Sequence, residues 1–462
     1  MAAHDYDLVF LGGGPAGYQG AIRAAQLGQK VAVIEDTNLG GVCLNQGCIP
    51  TKAIRASAEI LNQARLAKEY GIVVSEARPD MSAIIGRKNR IVNFLRGEVA
   101  NLFKANKITL YNGRGKFISP QEIRVNDSGP VVKGNKMVIA TGSRPKIPPV
   151  FAKPLPGVVT SEAILDIDRL PESLLIIGGG IVGLEIASIM AALGSQVTVL
   201  EEREQMLPKE DRETVAYLAE IMKRQGINLI HSATGVEARA QTQDGVTVTL
   251  ANGDTHAAQM VVLAAGRVPN TTDIGLENIG LDYAGDFIPV NEYMETEVKN
   301  IFAAGDVVGG WLLAHVAFME GIIVAEYTSG LPNSMDYRVV PRCLYTFPEF
   351  ASVGLPEEEA KRLYPAQSFT YPFQSHGMAQ ALGASEGMAK LVVNTMTGEI
   401  LGGHVIGAHA SELVSEIALA MRNKVMPSGI INTIHIHPTM AEAVLEVAQA
   451  SSRKSIHTMP RS

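Results

Sequence analysis

Residues 8–17 of this 462-residue chain are LVFLGGGPAG, a short apolar run that leads directly into closely spaced glycines. An apolar strand that ends in a Gly-x-Gly-x-x-Gly loop and opens an Ala-rich helix is typical of dinucleotide-binding domains. Gly12, Gly14 and Gly17 allow a tight turn, a close approach of the backbone to a pyrophosphate, and packing of the helix against the strand. The next apolar strand ends in Glu35, whose carboxylate can accept hydrogen bonds from a ribose. The stretch predicts a nucleotide-binding βαβ unit.

The same plan recurs in the middle of the chain. Residues 174–183 are LLIIGGGIVG, with Gly178, Gly180 and Gly183 at the loop positions, and the following strand ends in Glu201. Each acid lies 23 residues after the first glycine of its loop (12 to 35 and 178 to 201). One glycine loop is a weak signal, and two glycine-rich turns that bind nothing remain an alternative. Two copies with matched strands and acids favour two Rossmann-like domains.

Three further apolar runs end at a glycine. They contain Ala140-Thr-Gly-Ser143, Ala264-Ala-Gly266 and Ala304-Gly-Asp306. The first two stand near the ends of the repeated units, so we expect them to cross between domains. Asp306 stands where a strand gives way to a glycine-rich loop, so its carboxylate can meet a polyol chain. The alternative for Asp306 is a residue that only stabilises a turn.

Two cysteines lie five positions apart after the first glycine loop, in GGVCLNQGCIPTK at residues 40–52. The chain has only one other cysteine, Cys343, so a disulfide framework is not expected. Cys43 and Cys48 instead predict a dithiol that opens and closes during turnover, the alternative being two buried apolar cysteines. A regular helix would turn the two side chains about 140° apart. A disulfide therefore requires an interruption, for which Gly47 is the candidate.

Composition and charge exclude several classes of protein. The chain is 46% apolar and 19% charged and contains 45 glycines, which fits an α/β enzyme of several domains. Its net charge of −7 argues against nucleic-acid binding, and no apolar run approaches the roughly 18 residues that span a membrane. No cysteine or histidine spacing indicates a metal site. The chain start lacks signal- and transit-peptide features, which predicts a cytoplasmic protein, or a matrix protein whose presequence has been removed.

The C-terminal part carries a candidate acid–base group. After about Pro341 shorter strands and turns predict an α+β unit without a glycine loop of its own. Histidine is suited to removing a thiol proton near neutral pH, and the following proline favours His437 over His435. Thr439-x-x-Glu442 before an apolar run matches a capping box, so Glu442 can cap the next helix.

These segments together resemble the flavin-dependent pyridine nucleotide–disulfide oxidoreductases, and within them the dihydrolipoamide dehydrogenases most closely. The resemblance covers essentially the whole chain. It implies two Rossmann-like dinucleotide-binding domains, for FAD and then NAD, and a C-terminal α+β dimerisation domain that forms a homodimer. The implied domains are 1–147 for the first part of the FAD-binding domain, 148–272 for the NAD-binding domain, 273–341 for a central domain that completes the FAD site, and 342–462 for the interface domain.

The resemblance also implies roles for individual residues. Cys48 would lie nearest the flavin and form a charge-transfer thiolate when reduced, whereas Cys43 would exchange with the substrate. Lys52 would lie near the flavin, with Glu185 as its partner beside the nicotinamide. His437, oriented by Glu442, would act as the base at the disulfide of the other subunit. The implied FAD site consists of Gly12, Gly14, Gly17, Glu35, Lys52, Gly115, Thr141, Gly142, Ser143, Asp306 and Ala314. The implied NAD site consists of Gly178, Gly180, Gly183, Glu201 and Gly266.

The predicted activity is the oxidation of protein-bound dihydrolipoamide to lipoamide with reduction of NAD+. Glu201 favours NAD because a carboxylate accepts bonds from a free ribose 2′-hydroxyl and repels a 2′-phosphate, although Arg203 could accommodate a phosphate. The chain contains no lipoyl-bearing domain, so this partner would belong to a 2-oxo acid dehydrogenase or glycine cleavage complex. The alternatives are a glutathione- or mercuric-reductase-like disulfide reductase and a non-catalytic redox-sensing flavoprotein.

Overall fold

The computed structural model of the protein describes residues 4–242 and 245–457. Residues 1–3, part of the chain start that was used to predict the location, lie outside these ranges. No helix in the described ranges combines the length and the apolar character that crossing a bilayer requires.

The first unit is a sheet with helices packed on it. Its strands are β1 (Tyr6–Leu11), β2 (Val31–Glu35), β3 (Thr109–Asn112), β4 (Gly115–Ser119), β5 (Glu122–Val125) and β6 (Val131–Ile139). Its helices are α1 (Pro15–Gln26), α2 (Gly41–Asn45), α3 (Cys48–Leu66) and α4 (Met81–Ala105). Strands β3, β2, β1 and β6 are parallel, and β5 and β4 extend the sheet as an antiparallel hairpin. The β1 and β2 sequences are almost continuously apolar because helices and loops cover both faces of these strands.

The second unit repeats this plan. Its strands are β7 (Ser143–Pro145), β8 (Val158–Thr160), β9 (Ser173–Ile177), β10 (Gln196–Leu200), β11 (Asn228–Ile230), β12 (Val236–Thr242), β13 (Gly245–Leu250), β14 (Thr255–Ala258), β15 (Met260–Leu263) and β16 (Arg267–Pro269). Its helices are α5 (Ile181–Leu193) and α6 (Arg212–Arg224). A parallel sheet has the order β11-β10-β9-β15-β8, and β12, β13 and β14 form a separate antiparallel sheet. Strands β7 and β16 pair with each other where the chain leaves and re-enters the first unit, as the repeated strand ends predicted.

The next segment returns to the first unit. Strand β17 (Ile301–Ala303) pairs in parallel with β6, and helix α7 (Ala314–Thr328) packs against α1. The carboxyl end of β17, where Asp306 follows, therefore lies at the same edge of the sheet as the first glycine loop. This arrangement supports a central segment that completes the first nucleotide site.

The C-terminal unit is an antiparallel sheet with helices. Its strands are β18 (Arg342–Leu344), β19 (Glu349–Gly354), β20 (Ala366–Pro372), β21 (Met388–Asn394) and β22 (Ile400–Gly407), in the order β18-β19-β22-β21-β20. Its helices are α8 (Glu357–Leu363), α9 (Gly377–Ala381), α10 (Ala410–Arg422), α11 (Pro427–Asn432) and α12 (Glu442–Ser451). The predicted fold class, two Rossmann-like units and an α+β unit, is confirmed. The domain boundaries at 147, 272 and 341 stay predictions.

A buried ion cluster joins the second unit to the C-terminal unit. Lys390 on β21 is completely buried, and its Nζ lies 3.0 Å from both carboxylate oxygens of Asp211 and 2.7 Å from oxygens of Glu213 and Glu357. Asp211 is also completely buried and caps α6 by accepting a hydrogen bond from the Thr214 N–H at 3.1 Å. The cluster fixes the start of α6 against the C-terminal sheet.

We expect the Lys390→Met substitution to lower the free energy of unfolding by about 3–5 kcal/mol, because Asp211 is left as a buried charge without its cation. Chemical denaturation followed by circular dichroism measures the change. The matched control is Lys361→Met, because Lys361 also pairs with Glu357, at 2.5 Å, but from an exposed position. Its loss should stay below about 1 kcal/mol. Equal losses for the two variants would contradict the assignment of Lys390 as a stabilising buried cation.

Candidate active site

The first and last glycines of both loops are required by the backbone itself. Gly12 has a φ of +109° and Gly178 a φ of +113°, a region that other residues rarely adopt. A Cβ on Gly17 would lie 1.9 Å from the Gly12 carbonyl oxygen, and one on Gly183 would lie 2.0 Å from that of Gly178. These positions explain how the sequence forms two tight strand-to-helix turns.

The middle glycines face open space instead. A Cβ on Gly180 would meet no described atom within 4 Å, and one on Gly14 would meet its nearest described atom at 3.7 Å. Gly142 and Gly266, at the ends of the crossing strands, are equally open within the described part of the chain. The backbone at these points is accessible, as the close approach of a pyrophosphate requires.

The two acids at matched spacing, Glu35 and Glu201, each accept a hydrogen bond from the glycine loop of their own unit. Glu35 Oε2 accepts a hydrogen bond from the Gly13 N–H at 2.7 Å, and Glu201 Oε2 accepts one from the Gly179 N–H at the same distance. Glu201 Oε1 also accepts from the Arg203 N–H at 3.0 Å. The matched spacing is therefore explained by these bonds between each acid and its own glycine loop, which the sequence alone did not reveal.

Three other predicted cofactor residues have contacts within the protein. Gly115 is buried at the start of β4, where a Cβ would lie 2.4 Å from the Leu11 side chain. Thr141 Oγ1 donates a hydrogen bond to the Asn270 carbonyl at 2.7 Å, and Ala314 is the half-buried first residue of α7. Their predicted contacts with FAD stay predictions.

A polar cluster links the crossing strands to Asp306. The Ser143 hydroxyl donates to Asp306 Oδ2 at 2.5 Å and accepts from Arg267 Nε at 2.6 Å. Arg267 Nη2 donates to the Ser143 carbonyl at 2.8 Å and to Glu162 at 3.0 Å. Sequence reasoning missed Arg267, although its place directly after Gly266 in the repeated strand was a usable signal.

The cysteine pair lies at an interruption between two helices. Helix α2 ends at Asn45 and α3 begins at Cys48, and between them Gly47 leaves the helical conformation with φ −138° and ψ −104°. The predicted interruption at Gly47 is confirmed. Across this interruption the side chains of Cys43 and Cys48 lie within hydrogen-bonding reach of each other.

The two thiols have unequal acidity. The hydrogen bond from Cys43 lowers the pKa of Cys48 to about 7, against the effect of burial, and the Lys52 ammonium lowers it further. The same hydrogen bond and burial raise the pKa of Cys43. Cys48 is the first residue of the 19-residue helix α3, where free N–H groups and the helix dipole also stabilise a thiolate. Burial raises the pKa of Cys343, so this thiol stays protonated near neutral pH.

Lys52 and Glu185 connect the two nucleotide-binding units at the dithiol. The Lys52 Nζ lies 3.0 Å and 2.9 Å from the two carboxylate oxygens of Glu185, a buried residue of α5. Lys52 is one helical turn after Cys48 on α3. Sequence reasoning missed Tyr345, which comes from the C-terminal unit: its N–H donates to Glu185 Oε1 at 2.8 Å. It stands in no motif, so the sequence carried no signal for it.

Glu442 makes both of the contacts that the sequence had left as alternatives. Its Oε1 lies 2.8 Å from His437 Nδ1, and its Oε2 accepts from the Thr439 N–H at 2.9 Å. The capping box is only half formed, because the Thr439 hydroxyl donates to the Ile436 carbonyl instead and α12 begins at Glu442. Burial raises the pKa of the Glu442 carboxyl, but the Thr439 N–H and His437 outweigh that effect and hold it below its usual value.

The two neighbouring histidines have different environments. His435 Nε2 lies 3.0 Å from Glu416 Oε1, and its side chain is 6% exposed. The His437 side chain is 79% exposed and is flanked by the exposed side chains of Ile434 and Ile436. Only His437 presents its ring outward, at an apolar surface. Across the described residues no three His, Cys, Asp or Glu side chains converge as a metal site requires.

Residues 6–321 match the family model described as pyridine nucleotide–disulphide oxidoreductase, and residues 340–448 match the dimerisation domain of that family. The chain belongs to this family. The dimerisation match supports a homodimer.

Full-length relatives are curated as dihydrolipoyl dehydrogenases. The protein of Chlamydia pneumoniae is 39% identical over 468 residues, with 99% of both chains covered. That of Bacillus subtilis is 39% identical over 472 residues, with 98% of this chain and all of the relative covered. Among solved structures, LpdA from Mycobacterium tuberculosis has a TM-score of 0.90 at 28% identity, with 96% of this chain and 99% of that chain covered.

These matches confirm the predicted family, its oxidoreductase class and its cofactors FAD and NAD. The residues present fit two dinucleotides, because both glycine loops expose backbone at their middle positions and each is held by an acid at a strand end. The roles of individual site residues stay predictions.

We expect Lys52→Met to raise the pH midpoint for alkylation of the reduced cysteine pair by about 1 unit, since an opposite charge nearby favours a thiolate. The substitution also leaves Glu185, which raises the pKa of Cys48, without its cation. The rate of reaction with iodoacetamide across pH, with the labelled cysteine identified by peptide mass, measures the midpoint. Lys68→Met, at an exposed position beyond α3, is the control. An unchanged midpoint in Lys52→Met would contradict the electrostatic role of Lys52.

Proposed function

We propose that the protein is a dihydrolipoyl dehydrogenase that oxidises protein-bound dihydrolipoamide to lipoamide and reduces NAD+ to NADH. The observation that carries this proposal is the Cys43–Cys48 dithiol, held beside the Lys52–Glu185 pair where the two nucleotide-binding units meet. The full-length relatives named dihydrolipoyl dehydrogenase support the same activity.

Cys43 and Cys48 would act as the exchanging pair. In the disulfide form, a substrate thiolate attacks the sulfur of Cys43, which forms a mixed disulfide and releases Cys48 as a thiolate. The second substrate thiol then attacks the substrate sulfur of the mixed disulfide, which closes lipoamide and releases Cys43. The acidity of Cys48 supports this order, because a thiol with a lower pKa is the better leaving group.

His437 would remove the substrate thiol proton, with Glu442 holding its ring through Nδ1 so that Nε2 faces the substrate. We place this dyad at the dithiol of the second subunit of a homodimer. The exposed ring, the neighbouring exposed isoleucines and the match to a dimerisation domain support that placement.

FAD held in the first unit would supply the two-electron chemistry that links oxidation of the dithiol to reduction of NAD+. Lys52 would keep a positive charge beside the Cys48 thiolate, and Glu185 would hold the Lys52 side chain in place. The residues proposed to hold FAD are Gly12, Gly14, Gly17, Glu35, Lys52, Gly115, Thr141, Gly142, Ser143, Asp306 and Ala314. Those proposed to hold NAD are Gly178, Gly180, Gly183, Glu201 and Gly266.

The preference for NAD would rest on Glu201. Its carboxylate at the end of β10 repels a 2′-phosphate. The Arg203 backbone N–H donates a hydrogen bond to this carboxylate at 3.0 Å. The charged group held against the glycine loop is therefore the Glu201 carboxylate. The lipoyl group would come from a separate protein, a lipoyl-bearing domain of a 2-oxo acid dehydrogenase or glycine cleavage complex. The low cysteine content supports a reducing compartment, either the cytoplasm or the mitochondrial matrix.

A steady-state assay of the purified protein tests the activity. We expect rapid reduction of NAD+ by dihydrolipoamide and little reduction of NADP+. Glutathione disulfide and Hg2+, each offered with NADH or NADPH, should be reduced much more slowly than lipoamide. Turnover restricted to NADPH and glutathione disulfide would refute the proposed substrate.

We expect His437→Gln to lower kcat with dihydrolipoamide by about 10²–10⁴-fold, the usual contribution of a general base. Its unfolding midpoint should hardly change, because the side chain is largely exposed. Oxidation of NADH by an artificial electron acceptor, which needs no thiol base, should be unaffected. His435→Gln is the matched control: loss of its bond to Glu416 should cost about 1 kcal/mol of stability and leave kcat within a few-fold. Similar losses of kcat in both variants would reject His437 as the specific base.

A further inference from the structure

The C-terminal unit reaches the dithiol site of its own chain through residues 345–347, which lie in the connection between β18 and β19. Two backbone N–H groups of this segment dock on α5: that of Tyr345 donates to Glu185 Oε1 at 2.8 Å, and that of Phe347 donates to Ser188 Oγ at 3.0 Å. Glu185 and Ser188 are one helical turn apart, so the segment runs along α5. The carboxylate that binds Lys52 is thereby held from the C-terminal side.

The Tyr345 ring also contacts the other member of the ion pair. The Lys52 Nζ lies 4.2 Å from the centre of this ring, within the range where an ammonium is attracted to an aromatic face. The ammonium is therefore held between the Glu185 carboxylate and the ring. This restraint matters because the Lys52 side chain is about a third exposed (32%) and would otherwise have alternative rotamers in solvent.

Arg55 fixes the same segment from α3. Its Nε donates to the Tyr345 carbonyl at 2.9 Å and its Nη2 donates to the Thr346 carbonyl at 3.2 Å. Its guanidinium also lies 4.6 Å from the centre of the Phe347 ring. Arg55 is three residues after Lys52, on the same face of α3. The planar guanidinium can make these contacts together, which a lysine ammonium cannot reproduce.

We propose that Tyr345 and Arg55 are positioning residues that hold the Lys52–Glu185 pair beside Cys48, so that the C-terminal unit shapes the environment of the dithiol in its own chain. This inference rests on the proposed function in taking that dithiol as the redox centre. It adds a role for the C-terminal unit that is separate from the placement of His437.

The consequence is electrostatic, because Lys52 and Glu185 act on Cys48 in opposite directions. Lys52 lowers the pKa of Cys48 and Glu185 raises it, so the net effect of the pair on this pKa depends on where the Lys52 ammonium lies. Besides each other, Cys43 and Cys48 have four titratable or charged neighbours, Tyr18, Lys52, Glu185 and Asp306. Those around Tyr345 are Lys52, Arg55, Glu185, Cys343 and Glu349.

The test is the pH midpoint for iodoacetamide alkylation of the reduced cysteine pair in the holoenzyme. We expect Tyr345→Leu, which removes the ring and keeps the backbone N–H, to raise the midpoint by about 0.5 unit or more. Tyr345→Phe keeps the ring face and should stay within about 0.2 unit of the unmodified protein. Tyr364→Leu, an exposed tyrosine of the C-terminal unit, is the matched control and should not shift. A Tyr345→Leu midpoint equal to that of the unmodified protein, or a Tyr345→Phe midpoint equal to that of Tyr345→Leu, would overturn the role of the ring.

A second variant keeps the test decisive if Tyr345→Leu fails to fold. Arg55→Gln releases residues 345–347 from α3 and should also raise the pH midpoint for alkylation. An unchanged midpoint in this variant would overturn the proposal. The steady-state assay separates this inference from the proposed function. A wild-type protein without dihydrolipoamide activity would refute the function, whereas the shifts in midpoint would still decide the role of Tyr345 and Arg55.

Discussion

The chemistry proposed for this protein depends on one constraint, the interruption of the helix between Asn45 and Cys48. An unbroken helix would hold Cys43 and Cys48 on different faces, whereas the turn at Gly47 lets the two thiols share a hydrogen bond. The same interruption makes Cys48 the first residue of a long helix, where the backbone N–H groups stabilise an anion. One local departure from helical geometry therefore brings the two sulfurs together and gives them different acidities.

The side chains around this cysteine pair come from the first, second and C-terminal units. Lys52 follows on the same helix, Glu185 comes from the second nucleotide-binding unit, and Tyr345 comes from the C-terminal unit. A positive charge, a buried carboxylate and an aromatic face thus meet at one point that none of the units could build alone. The buried Lys390 cluster, which fixes the second unit to the C-terminal sheet, maintains the relative position of the units that this meeting point requires.

The sequence predicted the features that depend on local pattern. The two glycine loops, the acids at their strand ends and the interruption at Gly47 follow from turn geometry and spacing, so they were accessible without a structure. Contacts between distant segments were not accessible: Arg267 on Ser143 and Tyr345 on Glu185 join residues 124 and 160 positions apart, and Tyr345 has no motif of its own. Glu442 was ambiguous for another reason. A carboxylate has two oxygens, and here one serves His437 while the other serves the Thr439 N–H.

The acids that close the glycine loops have a consequence for redesign of the coenzyme preference. Glu201 is the obvious residue to replace if the second unit is to accept a 2′-phosphorylated coenzyme, yet its Oε2 is the acceptor for the Gly179 N–H. Substitution by alanine or arginine would remove the proposed repulsion and would also leave the Gly179 N–H without its acceptor. An engineered variant would need a short polar side chain that still reaches the amide, with the new cation introduced at a neighbouring position such as Glu202.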